Sequence, residues 1–413
     1  MIIRKAYKFK LKTNPEVEQL LTIFSGHSRF VWNYFLRINK LRLQNKQKIM
    51  RYHEMNYWLT LLKQSEEYEF LAEAPAHVLQ QKLKDLDKAY KDGFDKKQPN
   101  KKQPNKRMPK LRKKVLHNSF RYPEPKHFKL DNNRLCLPKV GWLGFFKSRQ
   151  IVGDLKNITI TKQGDSWFCS IQIQLEQVIE QKSIISQNSV GIDVGIAKFA
   201  ALSNGEYIEP RNPLKALQNR LSKAQQVQSN KEKFSNNWRK CVKKVQTIHN
   251  KIKNVRLDFL HKETTKISKN HALVVIEELK IKNMSKSSSG NIDTPGKNVK
   301  AKSGLNKSIL DQGWGIFRSQ LEYKLLWNAG ELRTVSPHHT SQRCNKCSCV
   351  DSRNRTSQDC FVCISCNHSE NADINAAKNI LAIGQIVSVC GENALAISMK
   401  QKSLGIGDLV PTL

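Results

Sequence analysis

The 413-residue sequence predicts a multidomain α+β protein. A β-barrel interrupted by a helical insertion comes first, and an α/β domain with a cysteine-rich insertion follows. Three observations predict this. Two-residue alternation marks the start of the chain and returns over 118–178, with helical spacing between. From Val190 onward, short apolar strands alternate with helices. Two Cys-x-x-Cys pairs, Cys344/Cys347 and Cys363/Cys366, then interrupt that second pattern.

Composition narrows the partners. Lysine and arginine number 71 against 35 acids, giving a net charge of +36 and a pI near 9.9. Such an excess implies an anionic partner, nucleic acid first and a membrane surface second. No stretch is long and apolar enough to span a bilayer, and Met1–Lys8 lacks the apolar core of a signal peptide. A cytosolic chain without a membrane partner is therefore expected. In a reducing compartment its ten cysteines are metal ligands or free thiols rather than disulfides.

Residues 1–12 alternate Tyr7, Phe9 and Leu11 with Lys8 and Lys10, as a strand with one basic face does. Asn14 before Pro15 predicts a cap and first helical position for a helix running to about Leu43. Trp32, Tyr34 and Phe35, near Arg29, could stack on bases, but their helical spacing favours the core. Further helices are expected at 54–64 and 75–92, which makes 13–114 a helical insertion ending in a basic linker. In that linker Lys96-Lys-Gln-Pro-Asn100 is repeated as Lys101-Lys-Gln-Pro-Asn105, and Pro99, Pro104 and Pro109 oppose helix. Its charges suit either solvent or phosphate.

Residues 115–187 complete the barrel. A hairpin turns at Asp131-Asn-Asn133, and Trp167, Cys169, Ile171, Ile173 and Leu175 alternate with polar residues. Beyond it, strands are expected at 190–196, 198–203 and 206–209, then helices at 213–228 and 235–268. The second helix carries an apolar stripe (Trp238, Val242, Val245, Ile252, Val255, Phe259) inside a basic surface (Arg239, Lys240, Lys243, Lys244, Lys251, Lys253, Arg256). A strand at 272–278, a Ser-rich loop at 285–290, one helix through Ile309–Leu325, a strand at 331–335 and a helix from about Asp373 follow. This order is compatible with an RNase H-like domain over 188–383. Residues 384–413 show little pattern and read as a loosely ordered tail.

Acids on apolar strands are costly to bury alone. Asp193 lies in Gly191-Ile-Asp-Val-Gly195, and Glu277 and Glu278 end an apolar strand. Asp373 opens a helix, where the dipole alone would also favour it. We expect Asp193, Glu277 and Asp373 to converge on Mg²⁺ for phosphodiester hydrolysis, with Gly195 allowing close approach of substrate. Both faces of 272–278 are apolar, so periodicity does not choose between Glu277 and Glu278. Residues 340–370 read as a zinc ribbon with Cys344, Cys347, Cys363 and Cys366 as ligands, a closed tetrathiolate of structural type. Cys360-Phe-Val-Cys363 is also a Cys-x-x-Cys, so Cys360, like the nearby Cys349, is an alternative thiol. His338 and His339 fit a phosphate contact or a plain loop equally.

Four ordered motifs together resemble the TnpB (OrfB) proteins of insertion sequences, relatives of type V CRISPR effectors. They are Gly191–Gly195, Val275–Met284, Thr340–Cys347 and Ala372–Ile380. Lys5–Lys10, Arg29–Asn33 and Met108–Leu111 agree with them, so the likeness extends to about residue 383. It implies an RNA-guided DNA endonuclease of a transposable element, with a guide RNA from the transposon end and double-stranded target DNA as partners. It also implies a wedge barrel over 1–12 and 115–187, a recognition insertion over 13–114 and a RuvC-like nuclease over 188–383. By motif position Asp193, Glu277 and Asp373 are the catalytic, Mg²⁺-binding acids, which selects Glu277 over Glu278. A cytoplasmic, nucleoid-associated protein follows. Ser348 and Asn367 depart from the pattern, because glycine usually follows the second cysteine of each pair. Two other readings share parts of this: a DDE-type transposase, and a guided DNA-binding repressor with a silent nuclease.

Overall fold

The computed structural model describes residues 2–94, 108–113, 118–176, 188–291 and 293–401, with side chains to 386. The repeated Lys-Lys-Gln-Pro-Asn segment lies outside them. The chain divides into two compact units, Met1–Val178 and Ile179–Leu413.

In the first unit, strand β1 (Ile2–Lys10) leads into helix α1 (Pro15–Gln44), whose first turn is capped by Asn14 Oδ1 accepting from the Val17 N–H at 2.9 Å. Helices α2 (Tyr52–Leu62) and α3 (Ala76–Phe94) follow. Strands β2 (Ser119–Tyr122), β3 (Lys129–Asp131), β4 (Arg134–Leu137), β5 (Gly141–Gly144), β6 (Asp154–Gln163) and β7 (Ser166–Glu176) complete the unit. They form an antiparallel sheet ordered β1-β7-β6-β2 and a β3-β4-β5 meander, joined by a bridge between Leu11 and Phe145. The alternation in β7 points Trp167, Cys169, Ile171 and Ile173 into one core shared with the helices. Trp32 and Phe35 are buried in that core. Trp32 Nε1 donates to the Lys110 carbonyl and the Arg112 guanidinium lies 3.6 Å over its ring, so this indole is not free to stack on a base.

The second unit is built on a five-stranded sheet. Its strands are β8 (Ser189–Val194), β9 (Ala200–Leu202), β10 (Tyr207–Ile208), β11 (Leu273–Glu277) and β12 (Glu331–Val335), in the order β10-β9-β8-β11-β12. β8, β9 and β10 are antiparallel, and β11 runs parallel to both β8 and β12. Helices α4 (Pro213–Ser229) and α5 (Asn236–Asn270) connect β10 to β11, and the short α6 (Ile281–Met284), α7 (Val299–Gln312) and α8 (Trp314–Trp327) connect β11 to β12. A small hairpin of β13 (Cys360–Val362) and β14 (Ser369–Asn371) precedes α9 (Ala372–Gln401).

One sheet face buries Val190, Ile192, Val274 and Ile276 against Leu260 and Ile267 of α5 and Phe317, Leu321 and Leu325 of α8. The opposite face buries Leu273 and Val275 against Ile380 of α9. Gly191 permits this second packing: a Cβ there would lie 2.1 Å from the Ala377 carbonyl oxygen. No side chain larger than hydrogen fits between β8 and α9.

Three expectations are revised. The apolar run Ile309–Leu325 is two helices, because Gly313 adopts a left-handed φ of +76° that ends the first and precedes the second. The helix from Ala372 continues to Gln401, through residues whose sparse pattern read as a tail. On α5, Val255 is 39% exposed, whereas Ile248, Ile252, Leu260 and Ile267 make the buried stripe.

Candidate functional site

The sheet register brings the first two acids together. Ile192 pairs with Ile276 across the parallel strands β8 and β11, so Asp193 and Glu277 stand at one level at their C-terminal ends. The Ile192 and Ile276 side chains face α5 and α8, and strand alternation turns Asp193 and Glu277 to the α9 side. Glu278 lies past the strand end and is exposed, while its N–H donates to the Val335 carbonyl. The docking of α9, which periodicity alone does not reveal, therefore resolves the two glutamates.

The third acid comes from α9 itself. Asn371 Oδ1 accepts from the Asp373 and Ile374 N–H groups at 3.0 and 3.3 Å, which starts the helix beside the strand ends. Asp193, Glu277 and Asp373 line one pocket of about 290 Å³, with Thr340, Arg355 and Gln358 on its wall. Burial, then Glu277, then Asp373, push the Asp193 carboxyl up to about 7, against the pull of Arg355. Burial also raises Glu277, opposed by a 2.6 Å hydrogen bond donated by Thr340 Oγ1. The Arg355 guanidinium reaches Asp373 at 3.2 Å and donates to the Gln358 carbonyl at 2.7 Å. Three carboxylates facing one guanidinium leave excess negative charge, which suits a hard cation with oxygen ligands.

Several supporting residues escaped sequence reasoning. Asn375 and Asn379 share one side of α9 at i, i+4 and are both buried. Asn375 Nδ2 donates to the Arg343 carbonyl at 2.8 Å, and its Oδ1 accepts from the Asn345 N–H. Asn379 Nδ2 donates to the carbonyls of Thr340 and Arg343 at 2.9 and 2.7 Å. These bonds fix the segment 340–345 on α9, and with it the Thr340 hydroxyl that orients Glu277. The spacing Asp373-x-Asn375-x-x-x-Asn379 was the available signal.

The cysteines form a second centre. The sulfurs of Cys344, Cys347, Cys363 and Cys366 lie within 4.8 Å of one another. Cys344 and Cys366 are separated by 3.7 Å, and Cys347 and Cys363 by 3.5 Å. Zinc bound tetrahedrally to four thiolates spaces them by roughly 3.8 Å, so the set fits that ion. Cys360 stands outside the cluster, Cys349 packs against it without joining the set of four, and Phe361 is buried beneath it on β13. Ser348 and Asn367, which replace the usual glycines, have left-handed φ values of +63° and +52°. That conformation is why glycine suits the knuckle.

Other candidates sit elsewhere. Gly195 lines the acid pocket, but a Cβ there would meet the chain's own Lys198 carbonyl at 2.9 Å, so its turn alone requires the small residue. Arg256 does not belong to the basic surface: it binds buried Asp311 at 2.6 Å. His339 has a φ of +62° and contacts Gln342 across its loop. No helix among the described residues is long and apolar enough to cross a membrane.

Residues 170–288 match the OrfB_IS605 family model, described as "Probable transposase", and 314–380 match a Cas12f1-like TNB domain. Residues 1–48 match a model described as a helix-turn-helix domain, although here they form a strand and a single long helix. The chain is 43% identical to "Putative RNA-guided DNA endonuclease InsQ" of Escherichia coli K12, over 94% of each chain. A relative with the same description from Streptomyces pristinaespiralis is 29% identical over 94% of this chain and 92% of that one. In fold, the chain resembles the protein of a Cas12f1–sgRNA–target DNA complex, with a TM-score of 0.52 over 92% of this chain and 98% of that one, at 14% identity. Identity at that level along almost the whole of InsQ means that the protein belongs to the OrfB, or TnpB, family of IS605-type insertion sequences.

Proposed function

We propose that the protein is an RNA-guided DNA endonuclease whose second unit is a RuvC-like nuclease. The carrying observation is the convergence of Asp193, Glu277 and Asp373 in one pocket of a chain 43% identical to a relative of that description. These three carboxylates would hold Mg²⁺. When bound, that ion supplies Lewis-acid stabilisation of phosphoryl oxygens and acidifies a bound water.

The chain's own groups prepare the site. The strand ends hold Asp193 and Glu277 rigidly at one level. Thr340 fixes the rotamer of Glu277 through its 2.6 Å bond. Arg355 partly neutralises Asp373 and puts its positive charge on the wall of the pocket where a phosphate would sit. The tetrathiolate would bind structural Zn²⁺, fixing the segment leading into β13 that brings Arg355 and Gln358 to the pocket wall.

The same reading assigns a wedge to 1–12 and 115–187, a recognition insertion to 13–114, the nuclease to 188–383 and its zinc ribbon to 340–370. Its partners are a guide RNA from the transposon end and double-stranded target DNA, in the cytoplasm at the nucleoid. The protein would read a short motif beside the target while base pairing reads the sequence.

The test is purification from cells that also express the transposon end, sequencing of bound RNA, and challenge with a randomised-flank plasmid library in Mg²⁺. A discrete RNA with cutting beside one motif is expected, and Asp193→Ala or Asp373→Ala should abolish cutting while RNA stays bound. Bound RNA without cutting by the wild type would favour the repressor. Strand joining in place of simple cutting would favour the transposase.

A further inference from the structure

A second cleft adjoins the acid pocket. It has a volume of about 490 Å³ and is walled by α4, α7 and the loop after β8. Ile196 and Ala197 line both cavities, so the two adjoin at that loop. Lys215 of α4 and Lys307 of α7 reach it from opposite walls. Both side chains are exposed, and neither ammonium has an ion-pair partner among the described residues.

The one acid in the wall is already committed. Asp311 is 4% exposed, its carboxylate accepts from Arg256 at 2.6 Å, and it takes the Leu214 N–H at 2.9 Å and the Lys215 N–H at 3.3 Å. It caps α4 from a neighbouring helix, so neither that helix end nor the carboxylate is open to a ligand. What the cleft offers is two ammonium groups, the Gln218 amide, and the apolar surface of Leu214 and Ile196. That combination fits a phosphodiester with its sugar or base, and does not fit a cation or an apolar partner.

We propose that this cleft seats the single DNA strand next to the phosphate in the acid pocket, with Lys215 and Lys307 gripping a backbone phosphate. The proposal rests on the nuclease reading and adds the path of the strand to it. Lys215 and Lys307 are positioning residues: they set which phosphate stands over the acids and touch no reacting atom.

The experiment uses the full chain with its guide, as wild type, as Lys215→Ala/Lys307→Ala and as Lys215→Arg/Lys307→Arg. Binding of a fluorescent phosphorothioate single-stranded oligonucleotide is measured across a salt series, alongside target opening and cutting. Losing the grip on that one phosphate should lower the slope of log affinity against log salt by about 0.7. The alanine pair should cut at least about tenfold more slowly and at scattered positions, with target opening unchanged, because single-strand loading falls by that order. The arginine pair should behave as wild type. An alanine pair with wild-type slope, rate and cut positions overturns the proposal. A wild-type complex that opens its target but never cuts removes the nuclease reading instead, and the salt slope still decides the cleft.

Discussion

Gly191→Ala tests how tightly the site is assembled. The added methyl would stand 2.1 Å from the Ala377 oxygen, 2.7 Å from the Leu381 nitrogen and 2.8 Å from the Leu381 Cβ. Two of these are backbone atoms of a helix, so no flexible side chain can give way. Restoring a 3.0 Å contact at Ala377 requires α9 to move by 3.0 − 2.1, or about 0.9 Å. Overpacking of this kind costs about 1–3 kcal/mol, and rigid neighbours place it toward the upper end. The lower backbone entropy of alanine returns about 0.5–1 kcal/mol, leaving a net loss of about 2 kcal/mol. Asp373, one turn before Ala377, must shift with the helix, and misplacement of about 1 Å can lower activity by about 100-fold. Urea unfolding followed by tryptophan fluorescence, with cleavage by the assembled complex, reads both effects. A variant within about 0.5 kcal/mol of wild type that cuts at the wild-type rate would refute the packing argument.

Other expectations concern charge and metal. Asp193 is pushed up to about 7, above its ordinary 3.8, so its protonated form is favoured in the metal-free fold. Its contribution is complete below about pH 4 and is lost as pH rises through 7. In chelator at pH 8, Asp193→Asn should therefore raise Tm by roughly 2–4 °C, an advantage that fades by pH 5; an unchanged or lower Tm would count against carboxylate repulsion. The purified chain should hold one zinc at the tetrathiolate, and Cys344→Ser should lose it, with new protease cuts within 340–370; full zinc content in that variant would contradict the assignment. Ser348→Gly relieves a left-handed φ of +63° and should slow zinc loss to chelator, with a gain of about 1 kcal/mol. Unchanged release would mean that the knuckle stores no strain.

Much of this organisation was legible because it is periodic. Alternation located β1, β6 and β7, and short apolar segments marked the five strands of the second sheet along the chain, though not their order in the sheet. Cysteine spacing identified the four thiols that meet, since a metal knuckle is a local feature of chain length. What periodicity missed depends on contacts far apart in sequence. Glu277 and Glu278 stand on equally apolar faces, and only the side taken by α9 distinguishes them. Arg256 looked like one more surface charge until a buried Asp311, 55 residues away, claimed it. The break at Gly313 was hidden because apolar residues continue in helical spacing on both sides. Asn375 and Asn379 offered only their helical spacing after Asp373, since an asparagine that braces a loop and one that faces water read alike.

That bracing bears on how far such a chain can be shortened. The span between β12 and α9 looks like a detachable module that a designer of compact nucleases would delete first, by joining Val335 to Ala372. The deletion would remove more than a zinc site. Thr340, which orients Glu277, and Arg355, which meets Asp373, would go with it, and Asn375 and Asn379 would lose the carbonyls they hold. Size reduction should begin elsewhere, because this insertion supplies part of the wall around the acids.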